Sequence, residues 1–276
     1  MGRSFSGTRG YLNSVTISAL NASIQARQLR NAALNGVIQG EGVKTASLNA
    51  VTALFTQYTL SASLNANLVA TTLLNGLQRY YKLEGNGVDS FGGQNAVFSN
   101  PTYVTGKIGQ AARIAGDTSK SIVAPGLNLM TAISISMWVY WTGSNTYAMV
   151  VGNMDGAGGT DINYAILTSG TGMTFYGTGN AASASTAAMT SNVWHHVVAT
   201  RTLAGVAQFW VDGVAASAVS GPAPYSVPAA DFRIGHREDN YASFPGDMDE
   251  VGVWNRVLTS GEIAELYNGG AGISFV

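Results

Sequence analysis

Downstream of about residue 80, short apolar runs alternate with Gly, Asn, Asp and Pro at intervals of about ten residues. The patterning inside those runs predicts strands at 80–84, 107–114, 121–123, 133–141, 147–153, 164–168, 173–176, 194–201, 207–211, 231–234 and 246–254. In the last run Met248, Glu250, Gly252 and Trp254 alternate with Asp249, Val251 and Val253, so it is expected to show two distinct faces. Val211-Asp212-Gly213-Val214 reads as a tight turn joining two antiparallel strands. One helix is expected, at 260–268: Thr259 and Glu262 form a capping box, and Gly269-Gly270 supplies a stop. Many short, turn-punctuated strands with a single terminal helix predict an all-β fold, an antiparallel β-sandwich or jelly roll.

Upstream the pattern differs. Leu-Asn recurs at Leu20-Asn21, Leu34-Asn35, Leu48-Asn49, Leu64-Asn65 and Leu74-Asn75, the first three copies fourteen residues apart. Two heptads would fit a coiled coil, but Gly36, Gly40 and Gly42 interrupt any continuous helix. Leu20, Ala22, Ile24 and Ala26 alternate with Asn21, Ser23, Gln25 and Arg27, which favours strand. Both readings stay open, with short helices broken at the glycines slightly preferred. Either way a narrow apolar stripe is left that must pack against copies of itself or another protein. We therefore divide the chain into a repetitive, extended arm, 1–78, for anchoring and oligomerisation, and a sandwich body, 79–276.

Charge sharpens that division. Residues 1–80 carry Arg3, Arg9, Arg27, Arg30, Lys44 and Arg79 against Glu41 alone, whereas the remainder is acidic overall. Opposite signs suggest different partners for arm and body. The basic residues are scattered, so nucleic-acid binding is not expected. Charged residues make up only 11% of the chain, against about a quarter in ordinary globular proteins. Hydroxyls and amides dominate the polar surface, as suits an extracellular or particle-bound protein. Residues 1–6 lack the apolar core of a secretory signal, and the stretch from Thr45 to Gln78 is too often polar to span a bilayer, so no membrane insertion is expected.

The chain has no cysteine, which excludes disulfides and thiolate metal sites. It has no Gly-x-Ser-x-Gly elbow and no His-Glu-x-x-His, and Gly106-Lys107 lacks the upstream glycine of a phosphate loop. His195 and His196 are consecutive, so in a strand they point to opposite faces and cannot clasp one metal. Glycosidases need two acids facing one cleft. Asp247 and Asp249 share a face but stand at the mouth of their strand, so catalysis is not expected. The acidic turn before Val251 reads either as a cation site or as a solvated turn. Trp138, Trp194, Trp210 and Trp254 lie within strand patterns and are expected in the core. Trp141 at a strand end, and Tyr241 and Phe244 in the loop 238–245, are the candidate ligand-stacking rings. That loop reads equally well as a plug on the sandwich edge.

Four segments together resemble a known family. They are Tyr81-Lys82-Leu83-Glu84-Gly85-Asn86 with Asp89, Ser90 and Asn95; Ile133-Ser134-Ile135-Ser136-Met137-Trp138-Val139; Trp194-His195-His196-Val197-Val198-Ala199 with Phe209-Trp210-Val211-Asp212-Gly213; and Asp249-Glu250-Val251 through Trp254-Asn255-Arg256 to Glu262-Ile263. In this order they resemble laminin-G-like, concanavalin-A-like lectin domains over roughly residues 80–270. The resemblance implies a structural calcium ion held where the opening loop meets the last strand, by Asp89 and Asn95 with Asp249 and Glu250. In this chain the loop after Asp89 is one residue longer than is usual in that family.

A lectin-like body on a self-associating arm also resembles, in architecture, bacteriophage virion surface proteins such as capsid decoration proteins, head fibres and tail fibres. On that resemblance the expected protein is a non-enzymatic homotrimer on the virion surface. Residues 1–78 would attach it to a capsid or tail protein, and its sandwich would engage glycans or cell-surface polysaccharide. The alternative is an extracellular carbohydrate-binding module of a bacterial secreted or surface protein.

Overall fold

The run ISISMWVYW shows how the body is built. Ile133, Ile135, Met137, Val139 and Trp141 point into one core, while Ser134, Ser136, Trp138 and Tyr140 point to the opposite face. The computed structural model of the chain describes residues 72–100, 102–143, 147–155, 161–177, 181–186, 188–221, 223, 231–237 and 243–274. The chain divides into two units, Met1–Thr72 and Leu73–Val276. The reading of the Leu-Asn repeats as helix or strand lies outside the described residues, save the last copy.

In the body the strands are β1 (Leu77–Tyr81), β2 (Val97–Ser99), β3 (Tyr103–Thr105), β4 (Gln110–Arg113), β5 (Ser121–Ala124), β6 (Ile133–Trp141), β7 (Met149–Asp155), β8 (Asp161–Ser169), β9 (Gly172–Gly177), β10 (Ala181–Ser185), β11 (Trp194–Arg201), β12 (Val206–Val211), β13 (Val214–Ala215), β14 (Val219–Ser220), β15 (Phe232–Ile234) and β16 (Gly246–Trp254). One helix, α1 (Ser260–Tyr267), follows.

The strands form two antiparallel sheets. The larger runs β13–β12–β11–β6–β16–β4–β3, with β1 also on β16 and β14 also on β12. The smaller runs β10–β9–β8–β7–β15–β5–β2. Their facing sides share one core, in which Met137, Val197, Phe209 and Val253 of the larger sheet meet Tyr164, Ile166, Phe175 and Phe232 of the smaller. Each such side chain, fully buried, contributes about 1.5–3 kcal/mol. This is the β-sandwich that the punctuated pattern predicts.

Local chemistry fixes the corners. Asp212 and Gly213 both adopt positive φ, +52° and +78°, as a two-residue hairpin between β12 and β13 requires. Thr259 and Glu262 make the reciprocal capping box of α1. The helix ends at Asn268, itself left-handed at φ +47°, one residue before the glycines read as its stop.

Other boundaries move for physical reasons. The body begins at Leu73, ahead of the 78/79 division, because Leu73 and Leu77 are buried and the Trp254 indole donates to the Leu73 carbonyl at 2.6 Å. The first strand ends at Tyr81 since Leu83 (φ +63°) and Gly85 (φ +75°) turn the chain. The run 107–114 becomes strand only from Gln110, after a turn closed by the Gly106 N–H on the Gly109 carbonyl.

The largest departure is in β16. Asp249 pairs with Trp138 but Gly252 pairs with Ser136, a β-bulge with Glu250 at φ +51°. The alternation therefore breaks. Val251 and Val253 join Met248 in the core, while Gly252 and Trp254 turn to the outer face with Asp249.

Candidate functional site

The opening loop and the last strand meet beside β1, where the calcium ligands were expected. The Asp89 carboxylate there holds its own loop. Oδ1 accepts the N–H groups of Tyr80 (3.0 Å), Phe91 (3.1 Å) and Gly92 (3.0 Å), and Oδ2 accepts that of Gln94 (3.1 Å). Asn95 Oδ1 in turn accepts the Asp89 N–H at 3.0 Å. The loop passes so close to β1 that a Cβ on Gly92 would stand 2.2 Å from the Gln78 carbonyl oxygen.

Asp249 and Glu250 have other partners. Asp249 is fully buried on the outer face of β16, and its Oδ2 accepts the Ile108 N–H at 2.9 Å. Glu250, carried out of register by the bulge, accepts a hydrogen bond from the Tyr80 hydroxyl. Burial pushes the Asp249 carboxyl up to about 8, and the nearby Glu250 and Glu84 charges push the same way. Burial likewise raises Glu250 to about 7, against the hydrogen bond from Tyr80, which lowers it.

These donors do not fit a shared calcium ion. Calcium takes about six to eight oxygens, carboxylates prominent among them. Asp89 already accepts four backbone N–H groups, and Asp249 gives Oδ2 to the Ile108 N–H. Among the described residues no three His, Asp or Glu side chains converge as metal ligands. Asp89 and Asn95 are bonded to each other, whereas Asp249 and Glu250, adjacent in the chain, turn to different partners, the Ile108 N–H and the Tyr80 hydroxyl.

The candidate stacking rings fare differently. Trp141 has the core parity of β6 and is 2% exposed, and Phe244 is 0% exposed between the sheets. Neither ring can stack on a ligand; both fill the core, and at Phe244 the plug reading holds. Tyr241 lies outside the described residues.

Two tryptophans expected in the core are only half-buried, Trp194 and Trp210. Trp194 stands on the outer face opposite Tyr140, ring centroids 5.7 Å apart at 61°. Beside them Arg113 makes a bidentate pair with Asp247, Nε–Oδ1 2.8 Å and Nη2–Oδ2 2.9 Å. Sequence reasoning missed this group. The usable signal was parity, because Tyr140 shares a face with Ser134 and Ser136, and its cross-strand neighbours must share that face too.

Over Trp138 and His196 the outer face is closed by the Tyr267 ring of α1. His196 Nε2 lies 2.8 Å from Ser136 Oγ, a spacing used by nucleophile–base pairs. Both are buried under the Tyr267 ring, and burial lowers the His196 pKa to about 4. The neighbouring His195 bonds Asp212 Oδ2 through Nδ1 (2.6 Å) and faces the Thr190 carbonyl through Nε2 (3.0 Å). It clasps the hairpin.

A sequence model described as the concanavalin A-like lectin/glucanases superfamily matches residues 115–264, more than half of the chain. The chain belongs to this superfamily. Among solved structures, this lectin/glucanase sandwich is similar to domain 4 of AbnA, an extracellular arabinanase from Geobacillus stearothermophilus solved with arabinotriose. Identity is 18%, with 71% of this chain and 98% of that one covered at a TM-score of 0.55. The binding domain of Paraclostridial Mosquitocidal Protein 1 matches at 17% identity and a TM-score of 0.57, covering 72% of this chain and 53% of that one. Trypanosoma rangeli sialidase matches at 17% and 0.56, covering 72% and 34%. At these identities the likeness is one of fold.

Among curated proteins the chain is 30% identical to the Female protein of Nothocricetulus migratorius over 83 residues, 27% of this chain and 36% of that protein. It thus spans about a third of that relative's length.

Proposed function

We infer that the body is a non-catalytic glycan-binding module. One observation carries the reading: within a lectin/glucanase sandwich, the acids Asp89, Asp249 and Glu250 are buried in the hydrogen-bonding of the fold. What the outer face leaves half-exposed is aromatic rings and a fixed ion pair, which suits recognition of hydroxylated ligands. Single sites of this kind bind weakly, and display in several copies would multiply their effect.

The N-terminal repeats supply that display. In this reading residues 1–78 trimerise and attach the module to a particle, as a phage capsid decoration or fibre protein. The support is the recurring Leu-Asn pattern and the opposite charge of arm and body. A free carbohydrate-binding module would lack such an arm.

The test is retention of the full-length chain on a panel of immobilised polysaccharides, with a reducing-end assay on the same incubations. Retention without new reducing ends supports the reading. Loss of retention on every polysaccharide, or release of reducing ends, contradicts it.

A further inference from the structure

The outer face of the larger sheet is organised in rows that cross the strands. In one row Asp249 stands opposite Trp138, and Trp138 opposite His196. That row is roofed: the Tyr267 ring of α1 stacks over Trp138 at 6.0 Å, and Lys107 Nζ lies 4.6 Å from the same indole. The next row has no such cover among the described residues. In it Arg113 stands opposite Asp247, Asp247 opposite Tyr140, and Tyr140 opposite Trp194. Strands about 4.8 Å apart make this a file of roughly 14 Å.

We propose that the row Arg113–Asp247–Tyr140–Trp194 is a saccharide-binding platform for a neutral pyranose-containing glycan. The sugar's C–H face packs on the Trp194 ring, and its hydroxyls bond the Arg113–Asp247 pair. The proposal rests on the glycan-binding reading and gives it a place.

Three properties select this ligand class. The edge-to-face contact with Tyr140 fixes the Trp194 ring before anything binds, so little freedom is lost on binding. The ion pair is rigid and neutral as a unit: the Asp247 side chain is 6% exposed and gives both oxygens to Arg113, whose side chain is 44% exposed. Arg113 uses Nε and Nη2 for that bond and, among the described residues, leaves Nη1 for a ligand hydroxyl. A compensated pair beside two rings favours a ligand of hydroxyls and C–H surface over one of net charge.

The experiment titrates the full-length chain, as wild type, Trp194→Ala, Trp194→Phe and Arg113→Lys, with soluble galactomannan, xylan and mixed-linkage glucan as neutral pyranose probes and polygalacturonate as the acidic one. Calorimetry and intrinsic tryptophan emission are recorded, with melting curves for each variant. Wild type is expected to bind at least one neutral polymer and no more than weakly the acidic one. Trp194→Ala should then weaken binding about thirtyfold, as removal of an aromatic anchor does. Trp194→Phe should keep most of the affinity but lose the emission change, which reports on the site even if the alanine variant folds poorly. Arg113→Lys, which keeps the charge without the fork, should weaken binding about tenfold. If wild type binds a neutral polymer and Trp194→Ala binds it equally well, the platform is wrong while the glycan-binding reading stands. Binding of polygalacturonate alone also overturns the platform. Binding of no polysaccharide by wild type overturns both.

Discussion

The Tyr80 hydroxyl donates a hydrogen bond to Glu250 from the strand beside it, with Tyr80 paired not to Glu250 but to Gly252. The bulge makes this reach possible, since it carries the carboxylate back along β16 to the phenol. Tyr80 is 1% exposed and Glu250 4%, so neither has water as an alternative partner. Tyr80→Phe is expected to destabilise the body by about 1–3 kcal/mol, the usual range when a buried acceptor loses its donor. Urea unfolding of the full chain measures it, and an unchanged midpoint would remove the bond from the account.

The two buried carboxyls predict a pH dependence. Their folded values, about 8 for Asp249 and about 7 for Glu250, lie above the ordinary 3.8 and 4.5. The folded protein holds protons that the unfolded chain releases. The stability they contribute is therefore complete below the ordinary values and is lost as pH rises through about 7 to 8. His196 acts at the other end: burial lowers its pKa to about 4, so its contribution is present above 6.5 and lost as pH falls towards 4. Asp249→Asn should flatten the fall in urea midpoint between about pH 5 and about pH 9 and leave the acid limb in place. Equal alkaline slopes in variant and wild type would contradict the assignment.

Asp89→Ala tests whether that residue is a loop organiser. It removes the acceptor for four backbone N–H groups at once. A loss of about 2–3 kcal/mol is expected, in the range for charged hydrogen bonds. Hydrogen exchange should accelerate at Phe91, Gly92 and Gln94 and stay unchanged in β11. Acceleration spread evenly over the body would instead mean that the whole sandwich loosens.

How far the sequence foretells this molecule depends on how the signal is carried. Where a strand is long and two-faced, as in Ile133–Trp141, the period reads directly and the structure agrees. Edge strands of two or three residues, such as β13 and β14, hold too few positions for a period to show. The bulge at Glu250 defeats parity altogether, because one inserted residue exchanges the two faces and letters alone do not mark it. Aromatic positions were harder still. Trp141 stands at a strand end yet lies in the core, Phe244 takes the plug reading of its two, and Trp194 has a core-like strand pattern yet faces outward. Which side of a strand is covered depends on α1 and the loops that fold over it, and that information is not local.

The arm gives a separate prediction. Mass photometry of the full chain at nanomolar concentration is expected to show a trimer, and a chain with Leu20, Leu34 and Leu48 changed to Ser is expected to shift to monomer. A wild-type monomer would remove the particle-display reading and leave the module reading intact.

Size-exclusion chromatography with light scattering, on the full-length chain mixed with each soluble neutral polysaccharide, tests the central claim most directly. A non-catalytic glycan-binding sandwich predicts that protein co-elutes with at least one polymer whose mass distribution is unchanged after prolonged incubation. Protein eluting apart from every polymer, or a polymer that shortens with time, would contradict it.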